Sequence, residues 1–337
     1  MSRLDRASLP ALHPSEARAD LRTRLRGPDA ALGAASIGTV PILWNNVDVE
    51  ELRLGIPAPA LLDEIARLGY EGTQLGLGFP TGSALRAELV ARDLRLAEVY
   101  VALRFDQDGP LTGTLEDARE RLRLLDEAGG EVLCVALDAS ADRDGLAGRA
   151  AAGGAPALSN SGWDRLVAVI GLLADEAIGA GHRLAFHPHA GTYVETPAEV
   201  DRLLAATDPS RVGICLDVGH YLVGGGDPVA ALCTFGERVT HVHLKDVDGA
   251  VLDRLRSGAL SGFGAAVRNR LFTELGAGRL DLSGVLEALA DLGYGNWLMI
   301  EQDSSWCPPG EAAAIGRRVL ALELRRLGRA RTAWAQR

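Results

Sequence analysis

Two short apolar stretches, RVGICLDVGH at 211–220 and RVTHVHLKD at 238–246, are the most informative about how this chain folds. Each begins with aliphatic and β-branched residues and ends in polar groups such as Asp217 and His243. A short apolar run bounded by turn residues is typical of a strand that is buried on both faces. Polar groups at the carboxyl end of such a strand add little to packing. They therefore indicate a functional site at the strand ends.

The composition limits the classes of partner. The chain has 337 residues, 47% of them hydrophobic, and a formal net charge of −10, which argues against nucleic acid or an anionic membrane. No apolar run approaches the roughly 20 residues that span a bilayer, and the N-terminal segment lacks the apolar part of a secretory signal. The four cysteines are scattered without a CxxC pair, which is typical of reduced thiols. We expect a cytoplasmic protein that acts on a small molecule; a homo-oligomer stays an open alternative.

Apolar runs and helical periodicities alternate along the chain from residue 34. The predicted strands are 34–43, 72–77, 94–103, 131–137, 182–187, 211–217, 238–244 and 297–301. The predicted helices that follow them are 59–68, 83–91, 115–128, 162–180, 197–206, 228–235, 282–292 and 311–327. Strands separated by helices pair in parallel through right-handed crossovers, and eight such units fit a closed (β/α)8 TIM barrel. The alternative is a doubly wound open sheet, which the absence of a glycine-rich phosphate motif after the first strand disfavours.

We therefore predict a single-domain α/β TIM barrel over residues 34–327. Residues 1–33 are expected to form an N-terminal arm and residues 328–337 a C-terminal tail. In a TIM barrel the functional groups lie at the carboxyl ends of the strands. Candidate groups there are Trp44, Asn46, Asp48, Arg104, His187, His189, Glu195, Asp217, His220, His243, Lys245 and Glu301.

A ring of His, Asp and Glu on neighbouring strands favours a divalent metal site with mixed nitrogen and oxygen ligands. Each residue alone has a structural explanation. Asp217 could cap a helix, His243 could be a hydrogen-bonded core histidine, and Glu301 could be a solvated carboxylate. Their coincidence at the ends of strands five to eight favours the metal site.

Several segments resemble the xylose isomerase-like TIM barrel family of sugar isomerases and epimerases. They are SIGTVPILWNN (36–46), HPHAGTYVETPAE (187–199), CLDVGH (215–220), HVHLKD (241–246) and LFTELGAGRLD (271–281). The second and last are most similar to the inosose dehydratase branch, and the resemblance extends over residues 34–303. It implies Mn2+ or Co2+ held by Asp217, His243, Glu301 and His187, the last at a position where relatives carry Glu. His189 and Glu195 stay open as the strand-five ligand.

The resemblance also implies a reaction. We expect a metal-dependent lyase of inositol catabolism that dehydrates a keto-cyclitol such as 2-keto-myo-inositol (inosose) through an enediolate. The candidate acids and bases are His189, Glu195, Lys245 and His220, and the candidate substrate contacts are Trp44, Asn46, Asp48 and Arg104, with Trp306 at the mouth. A bound metal should lower the pKa of Lys245, although an ion pair with Asp246 is an alternative.

Three other functions stay open. A metal-dependent isomerase or epimerase acting on a ketose or keto-inositol is the main alternative. It is disfavoured because His187 replaces one of the two glutamates with which many epimerases of the family shuttle protons. A nuclease of the endonuclease IV type and a binding protein without catalytic activity are more distant alternatives.

Overall fold

Eight parallel strands close into a barrel in the computed structural model, which describes residues 31–152, 154–305 and 307–335. Each strand pairs with its neighbours in chain order, and the last strand returns to the first. The strands are β1 (Ser36–Thr39), β2 (Gly72–Gln74), β3 (Arg95–Leu103), β4 (Val132–Leu137), β5 (Arg183–Phe186), β6 (Val212–Asp217), β7 (Val239–Leu244) and β8 (Trp297–Ile300). The predicted TIM barrel is confirmed.

A helix follows each strand and covers the outside of the barrel. These helices are α1 (Ala58–Arg67), α2 (Gly82–Val90), α3 (Thr114–Ala128), α4 (Asn160–Gly179), α5 (Pro197–Ala206), α6 (Pro228–Phe235), α7 (Leu282–Asp291) and α8 (Pro309–Ala335). Helix α5 has the predicted bounds because Thr196 and Glu199 form a capping box around Pro197. Helix α1 buries Leu61, Leu62 and Ile65 completely, and each such side chain contributes about 1.5–3 kcal/mol through the hydrophobic effect.

The alternation of side chains along the strands points ligand-type groups into the barrel. On β7, Val242 and Leu244 belong to the main hydrophobic core, so His241 and His243 face the opposite side, toward the barrel interior. The register places Asp217 of β6 beside His243. Strand β6 is buried along its whole length, as expected for a strand in a sheet that is covered on both faces.

Several segments predicted as loops contain regular structure. The connection after β7 forms the helices Gly249–Arg256 and Phe263–Arg268, and its strand Phe272–Thr273 pairs antiparallel with Asp246–Val247. The segment 138–160 contains the short helix Ala141–Asp144. The helix Val218–Val223 starts directly after β6.

The chain ends differ from the prediction. Helix α8 continues beyond residue 327 to Ala335, so most of the expected tail 328–337 is helical. Of the expected arm 1–33, only residues 31–33 are described, and the backbone N–H of Ala31 donates to the carbonyl of Leu324. Trp306 lies outside the described residues. Within the described part of the chain, no helix is long and apolar enough to cross a membrane.

Candidate metal centre

Four side chains from the ends of β5, β6, β7 and β8 meet at one point in the barrel. His187, Asp217, His243 and Glu301 can each offer one ligand atom, and these atoms all lie within 4.8 Å of one another. His243 Nδ1 lies 3.7 Å from Asp217 Oδ2 and 2.6 Å from Glu301 Oε2. His187 Nε2 lies 3.6 Å from Asp217 Oδ2. The structure thus brings together the four residues that were expected to hold a metal.

Asp217 Oδ2 is buried without a hydrogen-bond partner, and His243 Nδ1 and Glu301 Oε2, also buried, have only each other at 2.6 Å. A buried polar atom without a partner costs about 1–3 kcal/mol, so an incompletely bonded oxygen beside this close pair indicates a common partner. Two carboxylates and two imidazoles form a mixed oxygen and nitrogen set that suits Mn2+, Co2+, Fe2+ or Zn2+. The residues present therefore fit a divalent metal.

Asp217 combines both roles considered for it. Its Oδ1 accepts the backbone N–H of His220 at 2.8 Å and so caps the helix Val218–Val223, while Oδ2 faces the metal centre. Burial raises the pKa of Asp217, but Lys245 and His220 outweigh burial and lower it well below its usual range. Burial likewise opposes ionisation of Glu301, but Lys245 and His243 lower its pKa to about 2. Both carboxylates are therefore ionised at neutral pH.

Lys245 lies beside the centre and contacts three carboxylates. Its Nζ is 2.8 Å from Glu301 Oε1, 3.0 Å from Asp303 Oδ1 and 3.5 Å from Asp217 Oδ2. Burial lowers the pKa of Lys245, but Asp303, Glu301 and Asp217 outweigh burial and raise the pKa above its usual range. The lowering of this pKa by a bound metal stays a prediction. The alternative partner Asp246 is wrong, because its carboxylate binds the backbone N–H groups of Gly276, Gly278, Leu280 and Val247.

His189 and His220 stack beside this lysine, with their ring centroids 3.8 Å apart. Burial, then His187 and Lys245, lower the pKa of His189 to about 3, so its ring is neutral at physiological pH. Burial and His189 also lower the pKa of His220 well below its usual range. His189 Nδ1 lies 2.9 Å from the carbonyl oxygen of Ala190. A carbonyl only accepts, so Nδ1 carries the proton and Nε2 of the neutral ring is free to take one.

Two phenylalanines from the connection after β7 enclose these groups. The ring of Phe263 lies 4.9 Å from that of His189, and the ring of Phe272 lies 5.2 Å from that of His220. Phe272 also has Lys245 Nζ 4.5 Å from its ring centroid. The sequence analysis predicts neither phenylalanine at the site, because it predicts an irregular loop between β7 and α7.

Glu195 binds two backbone N–H groups with its carboxylate. Its Oε1 accepts the backbone N–H of Gly148, and its Oε2 accepts that of Gly191, both at 2.7 Å. The carboxylate is buried and joins the 138–160 segment to the turn after β5. These contacts give Glu195 a structural role, and it is not one of the four converging ligands.

The four expected substrate contacts lie in different environments. Trp44 is fully buried in the main core and donates its Nε1–H to Glu64. Asn46 is also buried and uses its side chain to order the β1 loop, with Oδ1 accepting the N–H groups of Asp48 and Val49. Arg104 is exposed and pairs with Asp117 at 2.7 Å. Asp48 is exposed but close enough to the centre for the charges of Lys245 and Glu301 to act on it, and Asn46 Nδ2 donates to the carbonyl oxygen of Asp303 at 2.7 Å.

Two acidic residues of the centre were not among the expected site residues. Asp303 contacts Lys245; burial, Glu301 and Asp48 raise its pKa to about 7, against the opposing effect of Lys245. Glu98 of β3 lies inside the barrel below the four ligands, with its Oε1 3.0 Å from His243 Nε2. The signal for Glu98 was available in RLAEVYVAL (95–103), where a carboxylate interrupts an apolar run and must find a buried partner.

Comparisons with known proteins show the family of this chain. The profile of the xylose isomerase-like TIM barrel family matches residues 62–322. The chain belongs to this family. It is 37% identical to the rhizopine catabolism protein MocC of Rhizobium meliloti, covering 86% of this chain and 89% of that protein. It is 31% identical to the inosose dehydratase of Lacticaseibacillus casei, and the match covers 84% of this chain and 95% of that protein. Identities of this order over most of the chain show that it is an enzyme of the family.

Solved structures show the same fold. L-ribulose 3-epimerase superposes with a TM-score of 0.67 at 17% identity, covering 90% of this chain and 98% of that one. The IolI protein with a bound zinc atom superposes with a TM-score of 0.60 at 13% identity, and the match covers 86% of this chain and 95% of that one.

Proposed function

We propose that this protein is a metal-dependent carbon–oxygen lyase that dehydrates a keto-cyclitol such as 2-keto-myo-inositol. The observation that carries the proposal is the convergence of His187, Asp217, His243 and Glu301 beside Lys245. The inosose dehydratases among its relatives support the substrate class. We place the reaction in inositol catabolism in the cytoplasm, with Mn2+ or Co2+ as the metal.

When bound by these four residues, a divalent ion would supply Lewis-acid polarisation of the substrate carbonyl. His189 is the proposed base, since its Nδ1–H faces the carbonyl oxygen of Ala190 and leaves Nε2 unprotonated to take the proton from the carbon next to the substrate carbonyl. Lys245 is the proposed acid, since its ammonium group is buried and protonated and can protonate the departing hydroxyl. Phe263 and Phe272 restrict water beside both groups.

The charges around Lys245 favour an uncharged substrate. A divalent ion and Lys245 would together carry three positive charges, and Glu301, Asp303 and Asp217 can offset them with three negative charges, which leaves no net charge to attract a phosphate or carboxylate. Hydroxyl and carbonyl groups of a keto-cyclitol can bind such a centre without adding charge to it.

An isomerase or epimerase reaction is the second candidate, because the solved structures with this fold include L-ribulose 3-epimerase. A two-carboxylate shuttle needs a second acidic group facing the substrate. Here the strand-five position is His187, and one oxygen of Asp217 is used by the helix cap. Dehydration, which needs one base and one acid, is better supported.

The test is to incubate the protein, loaded with Mn2+ or Co2+, with 2-keto-myo-inositol. Dehydration gives a conjugated enol-dione with strong ultraviolet absorbance, and we expect this absorbance to grow with the wild-type protein and not with His243→Ala. Interconversion of keto-sugars without absorbance would support the epimerase alternative. Metal binding without turnover of either kind would support a binding protein.

A further inference from the structure

Glu98 occupies the barrel interior directly below the metal centre. It lies on β3, and its side chain has no solvent exposure. Moving a carboxylate into the interior of a protein costs several kcal/mol unless its partners compensate. In this barrel the compensation comes from two histidines of β7, across the interior from β3.

Both histidines present Nε2 to this carboxylate. His243 Nε2 lies 3.0 Å from Glu98 Oε1 and 3.2 Å from Oε2, and His241 Nε2 lies 3.1 Å from Oε2. Two imidazole nitrogens within hydrogen-bond distance favour the ionised carboxylate, which can only accept hydrogen bonds.

This contact determines which nitrogen of His243 is available to a metal. Since Glu98 accepts from Nε2–H, the neutral ring has its unprotonated nitrogen at Nδ1. Nδ1 is the atom that faces Asp217 Oδ2 and Glu301 Oε2. The opposite tautomer would place a hydrogen where the metal has to bind.

We infer that Glu98 is a positioning residue that holds the His243 ring in the tautomer and orientation needed for metal binding through Nδ1. A carboxylate partner also makes the imidazole a better ligand, and loss of such a partner typically weakens metal binding about 10–100-fold. His241 contributes by contacting the same carboxylate and so fixing its position. The inference rests on the metal centre of the proposed function.

The experiment compares Glu98→Gln with wild type. A glutamine amide can donate to Nε2, which favours the tautomer with hydrogen on Nδ1. Glu195→Gln is the matched control, because it also removes a buried carboxylate, but one bound to backbone amides away from the four ligands. Zn2+ affinity and stoichiometry would be measured by competition with a chromophoric chelator, and no substrate is needed.

We expect Glu98→Gln to bind Zn2+ about 10–100-fold more weakly than wild type, with the stoichiometry unchanged. The Zn2+ affinity of Glu195→Gln should stay within about three-fold of the wild-type value, a smaller change than loss of a ligand's hydrogen-bond partner causes. An unchanged affinity of Glu98→Gln would overturn the assignment. Loss of a second equivalent of Zn2+ would also overturn it, because Glu98, His241 and His243 would then be ligands of their own ion.

A second measurement needs no variant and covers the case in which Glu98→Gln does not fold. Histidine 15N NMR of the Zn2+-loaded wild-type protein should show His243 protonated at Nε2 and metal-bound at Nδ1. Protonation at Nδ1 would overturn the inference. If the wild-type protein binds no metal at all, the proposed function itself is wrong, an outcome that differs from failure of the Glu98 assignment alone.

Discussion

Asp217 accepts the backbone N–H of His220 at 2.8 Å with Oδ1, while its Oδ2 lies 3.7 Å from His243 Nδ1. One carboxylate thus starts a helix and faces the metal centre. The cap fixes the side-chain orientation, and so directs Oδ2, a buried oxygen without a hydrogen-bond partner, toward the other three ligands.

Asp217→Asn should separate these two functions. Asparagine caps helices about as well as aspartate, so the metal-free variant should keep a cooperative urea transition. Its amide cannot supply the anionic ligand. Loss of a residue that only hydrogen-bonds a ligand weakens metal binding by up to about 100-fold, and we expect loss of this ligand to weaken it more. Isothermal titration with Mn2+ measures this loss. Asp227→Asn, at the cap of α6, is the control and should bind metal as wild type does.

Lys245→Met should keep the metal and lose the reaction. Methionine fills similar space but cannot protonate a leaving group, so kcat should fall by about 10²–10⁴-fold. Metal content by elemental analysis and kcat with 2-keto-myo-inositol check the two parts. Wild-type kcat in this variant would remove Lys245 from the mechanism and leave it as an ion-pair partner of Asp303 and Glu301.

Glu195→Gln should affect stability more than rate. The buried carboxylate joins Gly148 to Gly191, and a weakened bond of this kind costs about 1–3 kcal/mol of unfolding free energy. We expect kcat within about ten-fold of wild type, below the 10²–10⁴-fold effect of a general acid or base. A larger fall in kcat with the metal still bound would restore the catalytic role for this residue.

The partly buried ion pair between Arg143 and Glu199 predicts a pH dependence of stability. Arg143 Nη1 lies 2.8 Å from Glu199 Oε1. Burial raises the pKa of Glu199, but Arg143 and the backbone N–H of Thr196 outweigh burial and lower it below the usual 4.5. A lowered folded-state pKa adds stability above pH 4.5, and this stability is lost as pH falls through the folded-state value.

Arg143→Met should therefore unfold at lower urea at pH 7, with a loss of about 1.5–3 kcal/mol for removing a charged hydrogen-bond partner of a partly buried carboxylate. Below pH 4.5 the difference from wild type should shrink, because Glu199 becomes protonated in both proteins. Urea unfolding at several pH values measures it. A difference that does not change with pH would show that lost packing, and not the charge pair, explains the effect.

Local patterns predict the barrel and the meeting of polar groups at its strand ends. Apolar runs such as 211–217 mark buried strands, and parallel strands bring their carboxyl ends to one edge. The family resemblance then selects His187, Asp217, His243 and Glu301 among the groups at those ends. The functional assignment of individual side chains at the same ends was less secure: Trp44 and Arg104 follow strands too, but one packs in the core and the other lies at the surface.

What the sequence could not predict depends on long-range contacts. The pKa of Lys245 is set by three carboxylates on two other strands, and Phe263 reaches the site from a connection without strand periodicity. Glu98 could have been found, but only by asking why a carboxylate stands inside an apolar strand as well as what stands at its end.

Metal removal and return is the most direct test of metal-dependent dehydration. The protein would be freed of metal by chelation, and absorbance growth with 2-keto-myo-inositol would be followed as Mn2+ or Co2+ is added. We expect no turnover in the metal-free protein and full recovery at about one equivalent per chain, the capacity of one four-ligand centre. Undiminished absorbance growth in protein verified to be metal-free would contradict the proposed function.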